Sequence, residues 1–397
     1  MEHTTEHELG VVRDSAGSQT FSLLGGPLHR LGSRLGLVRG QTDTVRLGWV
    51  LGIATWLVLV GLALLDGVGA EVFSLKVTGA HVRLLVLLPM IFVCESLLDP
   101  RMASFVDWTL RARVVATGSL PDLEALVARV GRWKDSWVLE LLILAAAVLM
   151  QALAARAGGM GQSWAPAPEH ALAAQGRAAW WWWHVCLPLA RFLLLRWLVR
   201  LALWTYFLWR VSRMELNLLP HHYDKAGGLG ELGIVHRYYL PMIIGFGAVV
   251  SASFAEQAAA GPMAFGKLYI VLLTMLVIVS VLFLGPLLVF STKLETARRE
   301  GRRTYRNFAA RYVQDFDHKW LGGRPADEPL LGTPDIQSLA DLHNSAEAVR
   351  TMRVVPFGPG IMKIYAAGVV LPFLPLLLFK YPFAELAAMV VKRLFGG

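Results

Sequence analysis

Arg196 and Arg200 stand four residues apart in the middle of an apolar run that reaches from Trp180 to Trp209. That spacing puts both guanidiniums on one face of a helix, while Arg191 points about 180° from Arg200 at 100° per residue. A charge at mid-membrane costs at least about 2.5–3.5 kcal/mol on insertion scales, so each must be paired or face water. The carboxylates within reach in other apolar runs are Glu95, Glu140 and Glu256. Two arrangements satisfy the arginines. Arg196 or Arg200 is buried in protein against Glu95 or Glu140 and fixes helix packing, or the same side chains line a watery path and bind or pass anions. A voltage-sensing helix repeats arginine every third residue over several turns, and this run does not.

A second constellation is PHHYDKAGGLGELG, residues 220–233. His221, His222 and Asp224, with His236 nearby, offer metal-ligand types. Alternatively, Gly227, Gly228, Gly230 and Gly233 can expose backbone N–H groups to a phosphate, with Lys225 assisting. No metal-site, P-loop or dinucleotide spacing is present, and adjacent histidines diverge. The plainer expectation is a tight turn with Asp224 bonded to local N–H groups. No cofactor is implied, the metal question stays open, and no Ser/His/Asp or Cys/His set points to an enzyme. Arg298, Arg299, Arg302, Arg303 and Arg306 form a third group, a basic cluster that suits anionic lipid headgroups at about 1 kcal/mol per residue.

The elements that must position these residues are long apolar helices. The chain has 397 residues, 55% hydrophobic and 17% charged, and its mean hydropathy is +0.50. A soluble domain carries about 25% charged residues. A helix needs about 20 apolar residues to cross a bilayer. Seven segments meet or approach that length: 47–65, 82–98, 137–155, 180–209, 238–257, 268–290 and 361–379. The fold expected is an all-α, polytopic transmembrane bundle of about seven spans with a cytoplasmic helical hairpin. Trp180 to Trp183, Trp204 and Trp209 read as interfacial belts. Prolines in the second and seventh spans, and Gly245 and Gly247 in the fifth, suit irregular backbone along a path. Cys94 and Cys186 lie in apolar runs and form no disulfide framework.

Cations alternate across the loops. Arg30, Arg34, Arg39 and Arg46 precede the first span, and the 66–81 loop holds only Lys76. The 99–136 and 210–237 loops are basic, whereas 156–179 and 258–267 are poor in cations. The positive-inside rule then places the N-terminus in the cytoplasm of a bacterial-type inner membrane. The formal net charge of +9 follows from this bias, so no nucleic-acid partner is expected. Residues 1–46 read as a cytoplasmic tail, without a cleavable signal, carrying an interfacial helix on Leu28, Leu31, Leu35 and Val38. Residues 47–290 form the bundle, with cytoplasmic loops 99–136 and 210–237. Ser119 is expected to cap a helix in the first of these loops, ending at Gly131. Residues 291–360 form the helical hairpin, with a second helix starting near Thr333. Residues 361–397 hold the seventh span and a C-terminal amphipathic or re-entrant helix.

The 220–233 stretch resembles the glycine-rich HxDxAGGLG-type cytoplasmic loop of an uncharacterised family of bacterial polytopic inner-membrane proteins. VLPFLPLLLFKYPFAELAAMVVKRLF (370–395) is similar to that family's final span and following helix. The resemblance implies a layout and no activity. Together these features point to a channel or transporter for a small ion, anions included, and to a homo-oligomer. A membrane-anchored sensor or scaffold that recruits a cytoplasmic protein through the hairpin is the rival. A membrane enzyme at the glycine-rich loop comes third.

Overall fold

The structure, a computed structural model, describes residues 21–39, 42–156, 176–261, 266, 268–322 and 333–379. Among them 82% are helical and none forms a strand. A short amphipathic helix α1 (Gly26–Arg34) precedes α2 (Val45–Leu65) and α3 (Leu75–Arg111). Next come α4 (Leu120–Lys134), α5 (Trp137–Arg156) and the continuous helix α6 over 177–213. α7 (Glu231–Arg237) leads into α8 (Leu240–Ala260). α9 (Leu268–Leu284) passes through a 3₁₀ turn, Gly285–Phe290, into α10 (Ser291–Trp320). α11 (Pro334–Arg350) precedes α12 (Gly360–Val370), which tightens to 3₁₀ over Leu371–Phe379, where Pro372 and Pro375 withhold backbone donors. The expected C-terminal helix after Phe379 lies outside the described residues.

Six helical stretches are long and apolar enough to cross a membrane: Val45–Leu65, Leu75–Arg111, Trp137–Arg156, Glu231–Ala259, Leu268–Trp320 and Gly360–Phe379. They fit an integral, multi-pass membrane protein. Their outward faces are greasy, with Leu141, Leu142, Leu149 and Leu153 of α5 and Leu273, Val277 and Val281 of α9 all exposed. In water such a surface is untenable, and in lipid it is the expected one. The segment expected as the fourth span, α6, stands outside the six, with Arg191, Arg196 and Arg200 together in the middle of its apolar run. It nonetheless runs the length of α3. Arg83 lies over the Trp182 ring at one end, 6.0 Å from its centroid. At the other end Leu216, just past α6, bridges Val115, just past α3.

Two helices contain π-helical turns, Arg83–Leu87 in α3 and Trp182–Cys186 in α6. Each is followed by Leu-Pro, Pro89 in one and Pro188 in the other. Proline has no N–H to close the i−4 ring and crowds the carbonyl there, so the turn ahead widens. α2 packs on α3 through Gly48 and Gly52, where an added Cβ would meet the Phe92 side chain at 2.8 Å and the Leu84 carbonyl oxygen at 2.3 Å.

Several expectations are revised. α8 stays helical through Gly245 and Gly247, which instead admit Met90 and Pro372 to close contact. Trp204 is fully buried rather than interfacial, because its indole N–H has a partner inside, the His236 Nε2, 3.1 Å away. Of the four tryptophans, Trp182 is buried, Trp181 donates to the Thr55 carbonyl, and Trp180 is exposed. The Ser119 hydroxyl accepts from the Glu215 N–H instead of capping α4. α4 runs through Gly131 to Lys134.

α10 and α11 lie side by side in opposite directions. Arg302 donates to the Arg350 carbonyl, and Lys319 and Trp320 both reach the Asp335 carboxylate. That lowers the Asp335 pKa from its ordinary 3.8, the hydrogen bond from Lys319 contributing most.

Candidate functional site

α6 brings Arg196 and Arg200 to the same point, as one helical turn requires. Arg196 donates through Nε to Glu140 Oε1 of α5 at 3.1 Å and through Nη1 to Glu95 Oε1 of α3 at 3.5 Å. Arg200 pairs with the same Glu95 oxygen. Two guanidiniums thus meet two carboxylates, with Arg196 and Glu95 both buried. Arg191, on the other side of α6, finds the Gln151 amide oxygen of α5.

The remaining partner comes from the N-terminal segment rather than from a helix. Arg196 Nη2 and Arg200 Nη2 both donate to the Gly25 carbonyl, at 3.0 and 3.1 Å. Lys134 donates to the Leu24 carbonyl at 2.9 Å. Asp99 accepts the N–H groups of Leu23 and Leu24 and the hydroxyl of Ser22. Asp135 accepts the Gly26 N–H and Glu140 that of Leu28. Six ionisable side chains thereby hold the backbone from the segment ahead of α1 into its first turn. Its side chains are sunk as well: Phe21 lies against the Trp204 and Phe207 rings, and Leu23 and Leu24 are buried. Glycine is required for the approach, since a Cβ on Gly25 would stand 2.2 Å from Asp135 Oδ1, and Gly26 has φ +85°. What is left of the cleft is two cavities of about 30 and 20 Å³ beside Arg200 and Glu140, room for about two waters. Burial, with Arg200 and Arg196 nearby, holds His29 below its ordinary 6.5.

Sequence reasoning placed residues 21–26 in a surface tail and missed Asp99, Lys134 and Asp135. The available signal was FSLLGG (residues 21–26), an apolar patch closed by two glycines inside a polar tail.

Glu256 lies near the opposite end of α3. It accepts the Gly79 N–H, while its second oxygen, both Arg83 Nη atoms and the Trp182 indole N–H are buried without a hydrogen-bond partner among the described residues.

The glycine-rich loop folds on Asp224, whose carboxylate accepts the N–H groups of Ala226, Gly228 and Gly230. Burial alone would raise its pKa, but these bonds and His222 outweigh it and hold the carboxyl below 3.8. Gly227 and Gly228 have positive φ, as does Lys225, and a Cβ on Gly230 would strike Asp224. The two adjacent histidines diverge, His222 toward Trp108 and His221 toward Tyr305 of α10. His236 is fully buried between Trp204 and the Phe283 carbonyl. Among the described residues no cluster of three metal-ligating side chains forms. Of the cations of α10, Arg299, Arg302, Arg303 and Arg306 are exposed, Arg299 paired with Glu295, while Arg298 and Lys293 are half-buried.

Compared with known proteins, the chain matches no protein-family model, no curated protein and no solved structure.

Proposed function

We propose that this chain passes a small ion, an inorganic anion first among candidates, through the interior of its helix bundle, and that the structure is its closed form. The carrying observation is the origin of the Gly25 carbonyl. An arginine pair buried only for packing would be completed by its helices, whereas Arg196 and Arg200 are completed by a separable N-terminal strap. The charges therefore occupy a cleft that residues 21–26 shut. Other polar groups stand at successive depths, as a path requires. Arg83 and Glu256 are about 18 Å from Glu95, judged by the 12-residue separation of Arg83 and Glu95 on α3, and Arg191 falls between. In this reading α6 is a seventh span, and the N-terminus and the α10–α11 pair face the cytoplasm of a bacterial inner membrane, as the loop cations indicate. Arg298, Arg299, Arg302, Arg303 and Arg306 then meet anionic headgroups.

Reconstitution in chloride-loaded liposomes tests the proposal. Wild-type flux should be low. Gly25→Val should raise it several-fold by expelling the strap, and adding Arg196→Gln should abolish the gain. Absence of chloride flux from both wild type and Gly25→Val would overturn the reading.

A second reading has its own observation. Phe308 and Val313 of α10, Ile336 of α11 and the adjacent Leu321 are exposed on the helix pair that projects from the bundle. Such a surface suits a second copy of the chain or a recruited protein, and chemical cross-linking of the intact chain in membranes would reveal either.

A further inference from the structure

The glycine-rich loop borders the wall of a cavity of about 600 Å³, lined by α3, α7 and the approach to α12. Three of the six apolar stretches begin or end there, at Arg111, Glu231 and Gly360, which sets the cavity at one common end of the bundle. In a bilayer that is headgroup level.

Its charges divide into committed and free. The Asp224 carboxylate is consumed by its own loop. Arg111 is paired with Asp107 at 2.8 Å. Arg353 is fixed in place: its backbone N–H donates to the Lys225 carbonyl and its Nη2 to the Asp224 carbonyl, 2.6 Å away, while its Nε is buried with no hydrogen-bond partner among the described residues. Gly358 keeps that guanidinium where it is, since a Cβ there would fall 2.4 Å from Nη1. Arg237 is exposed and makes no hydrogen bond or ion pair among the described residues. Two guanidiniums thus face the cavity with donors unused, against one uncommitted acid, Glu231. Trp108, Ile234, Phe357 and Ile361 give the cavity an apolar and aromatic wall, beside Ser104, Tyr223 and glycine backbone. Trp108 is itself pinned, donating to the Gly228 carbonyl at 3.0 Å.

We propose that this cavity is a phospholipid site in which Arg237 and Arg353 hold the phosphodiester and the aromatic wall takes the glycerol end of the acyl chains. Guanidinium donors match phosphate oxygens in geometry and charge. A basic pocket between the ends of membrane helices is where headgroups are captured. The loop's work is then to aim Arg353: the three N–H groups on Asp224 stiffen the turn whose carbonyls grip that arginine. This inference rests on the membrane placement of the chain and not on ion passage, so chloride flux is unaffected whichever way it falls.

The full-length chain, purified in detergent, reconstituted in phosphatidylglycerol and re-extracted, should retain phospholipid through gel filtration, seen as a bound mass in native mass spectrometry. Arg237→Gln, which removes no side-chain hydrogen bond or ion pair among the described residues, should lower retained lipid about tenfold, the loss of one charge-assisted contact. Arg353→Gln should do the same, with thermal unfolding run alongside to register any loosening of the loop. Arg132→Gln, an exposed arginine of α4 with no hydrogen bond or ion pair among the described residues, should leave retention unchanged. Equal retention by wild type and Arg237→Gln would overturn the proposal, as would equal losses in Arg237→Gln and Arg132→Gln. Displacement of the lipid by millimolar inorganic phosphate, with phosphate alone giving the same protection against unfolding, would overturn the lipid as ligand in favour of free phosphate.

Discussion

Glu95 carries more than its share of the arginine cluster. One of its oxygens receives both Arg196 and Arg200, and the other is buried without a hydrogen-bond partner among the described residues. Glu95→Gln would leave two guanidiniums facing one carboxylate in a site with room for only about two waters. Breaking a buried pair from one side costs about 3–5 kcal/mol, which should appear as a lower midpoint of thermal unfolding in detergent. Glu95→Gln with Arg200→Gln restores the balance, one guanidinium against Glu140, and should recover most of the loss. A double variant as unstable as the sum of its singles would show that packing, not charge, sets the cost. This cluster was legible in the sequence because its cost was. Arginines four apart in an apolar run demand carboxylates, and few lie in other runs. The Gly25 carbonyl was not legible, since every residue offers a carbonyl and no pattern marks the one that is used. Trp204 misled for a related reason: an indole reads as interfacial until its N–H finds a buried acceptor, and His236 lies 32 residues away in the chain.

The helices themselves were visible in the distribution of apolar residues, but their ends and irregularities were not. The second span read from the sequence as 82–98 is part of a helix running from Leu75 to Arg111. Beyond residue 98 the helix continues through Asp99, whose inside partners, Ser22, Leu23 and Leu24, composition cannot reveal. The π turns follow from Leu-Pro placed inside an apolar helix, and one of them has a partner in α2. Gly52 stands where the Leu84 carbonyl of the widened turn projects, so the two helices meet backbone to backbone, as small residues at membrane helix contacts permit. Gly52→Ala would place a Cβ 2.3 Å from that oxygen. Backbone cannot swing aside as a side chain can, so α2 must shift outward, at a cost of about 1–3 kcal/mol typical of overpacking. Thermal unfolding of Gly52→Ala beside Gly61→Ala checks this, because a Cβ at Gly61 meets nothing within 4 Å. Equal behaviour of the two variants would remove the close contact from the account.

At the scale of the whole molecule, the number of crossings turns on α6, the helix that carries the arginines. By composition it falls short of a span, yet its two ends meet the two ends of α3: Trp182 beside Arg83, and Leu216 beside Val115. In the proposed reading α6, packed along α3 from end to end, crosses with it. The alternative would bury that neighbour's apolar length against a helix held in water. The two counts differ in a measurable way. Phe73, between α2 and α3, and Tyr223, between α6 and α7, are 61% and 82% exposed. Between them lie α3, α5 and α6, so they face opposite sides if α6 crosses and the same side if it does not. Cys94 and Cys186 are buried, which leaves a quiet background for thiol labelling. In spheroplasts, Phe73→Cys should react with a membrane-impermeant maleimide at once, and Tyr223→Cys only after the membrane is opened. Labelling of both from outside would take α6 out of the bilayer, and with it the path through Arg196. Labelling of Tyr223→Cys alone would keep α6 as a span but turn the molecule over, setting the basic ends of α6 and α10 on the outer face against the bias of insertion.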